Sequence, residues 1–297
     1  MAHLKFILFL FIILIAGCQN QQETDAAGNQ TIKDDLNKEV VLNQAPERVI
    51  SLAPNLTEMI YALGVEKQLV GNTLFCYYPP EAKEVTKVGD LLTFDFEQIL
   101  NLKPDLIFLT VEGNQKDTYE KLLDLGLKVF VSNPRDYEGI KKTFSDMGKI
   151  FNKEEKAQNI IAGWDSTYNS IKQQAQKLEP QSIMIMIAVN PLMLAGHSTF
   201  MQGYIDACNM TNFVRETNQN YPVYSREIIL ERNPDIIVYP SGGDEDINTI
   251  LEVYPEWKNL PAVKENRVLF VDRDLYFRPG PRFVVALEDF YSRLTAN

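Results

Sequence analysis

The chain has 297 residues, with 40 acidic against 29 basic side chains and a net charge of −11. That balance argues against nucleic acid as the main partner, because such binding rests on clustered Lys and Arg. Three cysteines and two histidines are too few for a disulfide framework or a histidine-rich zinc centre, so no metal site is expected.

Lys5 precedes an apolar run from Phe6 to Ile15, too short to span a bilayer comfortably and shaped like the core of a signal peptide. The run ends in Ile15-Ala16-Gly17-Cys18, which resembles the lipobox of bacterial lipoproteins. That resemblance implies a leader over residues 1–17, cleavage before Cys18 and lipidation of its sulfur. Acyl chains then supply the anchor, at about 0.8 kcal/mol per buried CH₂. The expected location is the cell envelope, exported and membrane-anchored, facing the periplasm or the outer surface. Residues 19–38 are polar and lack periodicity, so 18–44 is read as the lipidated cysteine and a flexible tether.

The first lobe, 45–150, opens with the strand Glu47-Arg48-Val49-Ile50-Ser51-Leu52. A helix follows from about Thr57 to Leu63, with Asn55 as N-cap and Gly64 as its stop. A short strand near Gln68–Gly71 leads to the loop Cys76-Tyr77-Tyr78-Pro79-Pro80. A helix over 95–102, a strand over 105–110, a helix over 116–125 closed by Gly126 and a strand Lys128–Ser132 complete the lobe. Short strands alternating with helices predict an α/β lobe with a largely parallel sheet.

Between Lys153 and Leu178 the apolar positions are Ala157, Ile160, Ile161, Trp164, Tyr168, Ile171, Ala175 and Leu178. Spacings of three and four mark one face of a helix, which Glu179-Pro180 ends. Its 26 residues would make a rod of roughly 39 Å. It lies midway along the chain, so residues 151–180 are read as a stiff connection between two lobes.

The second lobe, 181–297, restarts with the apolar strand Ser182–Ala188. A helix over 199–208, strands Ile236–Tyr239 and Val268–Asp272 and a C-terminal helix at about 281–294 follow. Residues 97–107 (EQILNLKPDLI) and 227–237 (EIILERNPDII) match without a gap, Glu97, Ile99, Leu100, Pro104, Asp105 and Ile107 recurring 130 residues later. A period so long is not that of a solenoid. It predicts two similar lobes with a cleft between them, each with a mainly parallel central sheet flanked by helices.

The segment from Pro46 to Glu58 (PERVISLAPNLTE) resembles the opening of substrate-binding proteins of bacterial ABC importers for cobalamin, ferric siderophores and haem. So do Tyr78-Pro79-Pro80, Leu102-Lys103-Pro104-Asp105, Ser225-Arg226-Glu227, Asn233-Pro234-Asp235 and the tail from Asp274 to Arg282. The likeness covers nearly all of 45–295 and is nearest to the cobalamin-binding members. It implies two α/β lobes on one backbone helix, a ligand held in the cleft, and delivery to a permease by a monomer. The implied ligand is a corrinoid, with a ferric siderophore or haem as the alternative and no other cofactor.

In that family one glutamate per lobe binds arginines of the permease, and the matching positions are Glu97 and Glu227. Read locally, Asp95 and Ser225 can each cap a helix, which places both glutamates in a first turn that favours carboxylates. For the cleft, Tyr78 matches a ligand-stacking aromatic, Tyr221 stands at a tryptophan position, and Asp274 and Arg278 match polar pocket residues. Leu91 and Thr110 depart from the cobalamin-binding pattern, which has tryptophans there. Tyr291 stands where a disulfide partner of Cys208 would be, and Cys76 and Cys208 fall in opposite halves, so both are expected as free thiols.

His197 is the one histidine beyond the leader. Its type suits an axial ligand of haem iron, and its turn, Gly196-His197-Ser198, equally suits plain helix entry. Arg226, Arg273, Arg278 and Arg282 are candidates for pairing with an anionic siderophore. No Gly-rich phosphate loop, Cys/His cluster or credible Ser/His/Asp order is present, so no enzyme activity is expected. A scaffold lipoprotein would leave the repeat unexplained.

Overall fold

The computed structural model describes residues 30–215 and 217–296. Cys18 and the leader lie outside these residues. The described chain opens on a hairpin, strands β1 (Gln30–Lys33) and β2 (Glu39–Leu42), so the expected tether does not extend through 30–44. Few apolar residues mark the hairpin, but they alternate, and Ile32, Val40 and Leu42 are all buried. Its turn is fastened to the first lobe. Asp34 accepts the N–H groups of Leu36 (2.9 Å) and Lys38 (2.8 Å), and the Asp35 carboxylate accepts that of Asn133 (2.6 Å).

The first lobe contains β3 (Val49–Ser51), α1 (Pro54–Leu63), β4 (Leu69–Asn72), α2 (Phe96–Asn101), β5 (Leu106–Thr110), α3 (Lys116–Asp124), β6 (Val129–Ser132) and α4 (Tyr137–Ile150). Its sheet is all parallel in the order β4-β3-β5-β6. Helix α1 starts without the expected Asn55 cap. Pro54 occupies its first turn, where a missing N–H costs nothing, and the flanking Ala53 makes no side-chain cap bond. Gly64 does stop it, at φ 70°. Helix α4 was not anticipated, although Tyr137, Ile140, Phe144, Met147 and Ile150 recur at helical spacing and are buried.

The connecting helix α5 (Glu154–Ala175) runs 22 residues, somewhat less than expected, and spans about 33 Å at 1.5 Å per residue. The second lobe follows with β7 (Ser182–Ala188), β8 (Met193–Leu194), α6 (Gln202–Ala207), β9 (Thr211–Asn212), α7 (Arg226–Arg232), β10 (Ile236–Ser241), α8 (Ile247–Val253), α9 (Pro261–Lys264), β11 (Val268–Asp272), α10 (Arg273–Tyr276) and α11 (Phe283–Thr295). Strands β11, β10, β7 and β9 pair in parallel, and the short β8 adds an antiparallel edge. Every residue of β5 and β10 is buried, as unbroken apolar runs in covered parallel sheets require.

The repeated Pro-Asp has a structural task in each lobe. The Asp105 carboxylate accepts the N–H groups of Glu47 (2.9 Å) and Arg48 (2.8 Å), and that of Asp235 accepts the N–H of Ser182 (2.8 Å). Each aspartate thus pins the entry to its lobe's first sheet strand, β3 or β7. The residue before each proline, Lys103 or Asn233, turns the chain at positive φ, 46° or 54°. Asparagine tolerates that conformation better than lysine does.

The lobes share one hydrophobic core across their junction. Tyr168 of α5 stacks on Tyr137 of α4 at 4.4 Å, Tyr137 packs on Phe283 of α11 at 5.3 Å, and Phe283 stacks on Tyr204 of α6 at 4.5 Å. This column of rings joins helices from both lobes to the connecting helix. Such packing resists a wide hinge, so small-angle scattering is expected to show a radius of gyration that changes by no more than about 1 Å on ligand binding. A large compaction would contradict a stiff junction.

Candidate ligand-binding cleft

The carboxyl ends of both sheets converge on one open cleft of about 400 Å³. The first lobe contributes Ala53–Asn55 after β3 and Thr110, Glu112 and Gly113 at the end of β5. The second contributes Ile187 of β7 and residues of the stretch Arg273–Pro279 after β11. Parallel sheets place ligands at such ends because the loops there are free to vary while the strands stay fixed. Phe75, Leu91, Phe200, Met201, Tyr221 and Phe277 give the cleft its apolar and aromatic lining.

The polar groups of the cleft pair across the lobes. The Tyr221 hydroxyl donates to Glu112 Oε2 at 2.8 Å, and the other Glu112 oxygen pairs with Arg135. Burial, then the nearby Glu112 charge, pushes the Tyr221 phenol well above its ordinary range. On the other flank the Tyr77 hydroxyl donates to Asp274, and Arg278 Nη2 donates to Asp274 Oδ1 at 2.7 Å. The Tyr77 ring lies under the Arg278 guanidinium at 4.8 Å. Asn55, the residue expected as a cap, instead donates to the Pro279 carbonyl at 3.3 Å, from one lobe to the other.

Behind this face sits Glu58, whose side chain is 2% exposed. Arg282 grips it with two bonds, Nε to Oε2 at 2.8 Å and Nη2 to Oε1 at 2.7 Å, and Arg278 adds a third at 3.3 Å. A bidentate guanidinium–carboxylate pair fixes orientation as well as charge. Here it ties α1 of the first lobe to the segment before α11 of the second.

Of the sequence-predicted residues, Tyr221, Asp274 and Arg278 line the cleft together. Tyr78 is not among the lining residues; its ring lies 3.9 Å from the Arg282 guanidinium, and Phe75 is the aromatic of that loop that does line it. Arg273 also lines the cleft and is exposed, whereas Arg226 lies on α7 and pairs with Glu256 at 3.7 Å. Glu97 and Glu227 are exposed at the second positions of α2 and α7, behind caps in which Asp95 accepts from Gln98 N–H and Ser225 from Ile228 N–H. Hydrogen bonds from backbone N–H and from Ser225, aided by Arg226, hold the Glu227 carboxyl below its usual range, so it stays charged. His197 lines a separate groove with Lys141, Asp165 and Asp206, and none of that groove's residues lines the cleft. Cys76 and Cys208 are both buried and free, and burial pushes the Cys208 thiol up to about 12.

Glu112, Phe75 and Glu58 went unmarked by sequence. Glu58 sits inside the PNLTE segment, which carried the resemblance without pointing to a buried ion pair. Leu91 and Tyr221, both in the cleft, are separated by the same 130 residues as the repeat, so the register of the duplication reaches the ligand site.

A family model described as periplasmic binding protein matches residues 49–275. The chain belongs to the periplasmic binding protein family. The uncharacterized ABC transporter substrate-binding lipoprotein YvrC of Bacillus subtilis is 30% identical over 298 residues, covering 95% of this chain and 93% of YvrC. The vitamin B12-binding protein of Photorhabdus laumondii is 29% identical over 86% of this chain and 90% of its own. Among solved structures, the periplasmic vitamin B12-binding protein BtuF of Vibrio cholerae superposes with a TM-score of 0.73 at 26% identity, covering 84% of this chain and 97% of that one. This periplasmic binding protein therefore has the two-lobe α/β architecture expected of the family, with substrate binding as its role.

Proposed function

We propose that this chain is the lipid-anchored binding protein of an ABC importer for a corrinoid, tethered through Cys18 and docked on its permease through Glu97 and Glu227. The observation that carries the ligand choice is the composition of the cleft. Aromatic and aliphatic side chains suit a broad macrocycle, and two carboxylates, Glu112 and Asp274, stand among them as hydrogen-bond acceptors. A macrocycle fringed with amides offers N–H donors to those carboxylates and carbonyls to Arg273. A carboxylate-fringed ligand such as haem or a carboxylate siderophore would have to compete with Glu112 and Asp274 for the arginines already paired to them, Arg135 and Arg278. The vitamin B12-binding proteins among the relatives support the same reading.

The test is titration of the purified protein with cyanocobalamin, haemin and a ferric siderophore, followed by absorption spectroscopy and calorimetry. Saturable binding of cyanocobalamin alone, weakened at least tenfold by Tyr221→Ala, is the expected result. A Soret shift on haemin addition, or saturable binding of the ferric siderophore, with no cyanocobalamin binding, overturns it.

A further inference from the structure

Helices α2 and α7 share more than their glutamates. Each buries one isoleucine completely, Ile99 or Ile229, and leaves the next residue in the open: Leu100 is 40% exposed and Leu230 is 41% exposed. A single exposed leucine is ordinary and needs no explanation. Here the two stand at the same position of the repeat, each three residues beyond an exposed glutamate and hence on its face of the helix. The residues around them differ between lobes, Gln98 against Ile228, Asn101 against Glu231 and Leu102 against Arg232. Packing within either lobe accounts for the isoleucines and leaves the leucines unexplained.

Two further observations enlarge the patch. Leu92 (66% exposed) and Val223 (62% exposed) precede α2 and α7 within a few residues. Just before them lie Leu91 and Tyr221, which line the cleft. Each lobe therefore carries exposed aliphatic side chains along the stretch of chain that runs from a cleft-lining residue to the helix bearing the exposed glutamate.

We propose that Leu100 and Leu230 are the apolar half of the docking contact. Their partner is a permease with two equivalent halves, each offering a cationic side chain beside a shallow apolar hollow. This rests on the docking role given above to Glu97 and Glu227. The duplication argues for the symmetry of the partner: one element shown twice, in lobes that otherwise differ, fits two copies of one surface. The charge of each glutamate argues for the cation. Interfaces of this kind place an apolar contact beside the ion pair, which keeps water away from it.

The experiment measures binding of the full-length protein to its permease–ATPase complex, purified from the producing bacterium through a tagged ATPase subunit and held in nanodiscs. Leu100→Ser and Leu230→Ser are each expected to weaken binding about tenfold and to a similar degree, with unchanged thermal stability and salt dependence. Leu100→Met and Leu230→Met should bind like the wild type. Glu97→Ala with Glu227→Ala should weaken binding and flatten its salt dependence. If the serine variants bind like the wild type while the alanine pair does not, the leucine contact is overturned and the glutamate docking stands. If all variants bind like the wild type, both fall. A loss confined to one leucine overturns the two-fold partner.

Discussion

Cells whose only copy of this protein carries Glu97→Ala and Glu227→Ala are expected to take up no ligand above background, while the purified variant binds ligand as tightly as the wild type. The separation follows from placement. Neither glutamate lines the cleft, and both are exposed at the starts of short helices on opposite lobes. The caps survive the substitution, because Asp95 and Ser225 supply the cap bonds, so α2 and α7 keep their geometry. What disappears is a pair of negative charges, one per lobe, that steer and orient the encounter with a cationic surface. Each single variant should retain part of the uptake, since one lobe still engages. Weakened ligand binding by the purified double variant would remove the docking assignment and return both residues to the cleft or its support.

Glu58→Ala should be the most damaging single substitution at the lobe junction. It leaves Arg282, and in part Arg278, facing a buried site with no counter-charge, and both guanidinium groups are largely shielded from water. Breaking a buried pair from one side costs about 3–5 kcal/mol. The lower end applies here, because Arg278 retains Asp274 and Arg282 retains the Asp274 carbonyl at 3.1 Å. A loss of about 3 kcal/mol corresponds to a fall of roughly 5 °C in melting temperature for a chain of this size, at about 2.1 cal/mol/K of unfolding entropy per residue. Ligand affinity should fall with it, since Arg278 holds Asp274 at the cleft mouth and Arg282 stacks on Tyr78. Glu58→Gln keeps the shape and one acceptor, so its loss should be smaller. A Glu58→Ala protein that melts like the wild type would show that the pair only offsets its own desolvation.

The lobes were legible in the residues because buried parallel strands leave unbroken apolar runs, as in Ser182–Ala188 and Leu106–Thr110. The connecting helix was legible because its buried face repeats for six turns. The hairpin over 30–42 was not, since Ile32, Val40 and Leu42 are too few to stand out from polar neighbours. Asn55 was misread for a local reason: its residue type favours capping, but Pro54 had already begun the helix. The site divides in the same way. Tyr221, Asp274 and Arg278 could be placed by resemblance. Glu112 could not, because its partner lies 109 residues away and a lone acid in a loop carries no period.

The bonds Tyr221–Glu112 and Tyr77–Asp274 join the lobes through groups at the cleft that a ligand bound there would face. Entry is therefore an exchange reaction: each contact a guest makes with those groups is made at the expense of one the host already had. Net affinity then measures how much better the guest is than the host's own stand-in. A molecule of the right shape that cannot replace these bonds strands a polar group in an apolar wall and is turned away. Selectivity would then be set by the cleft's own cross-lobe bonds as much as by the contacts a guest makes.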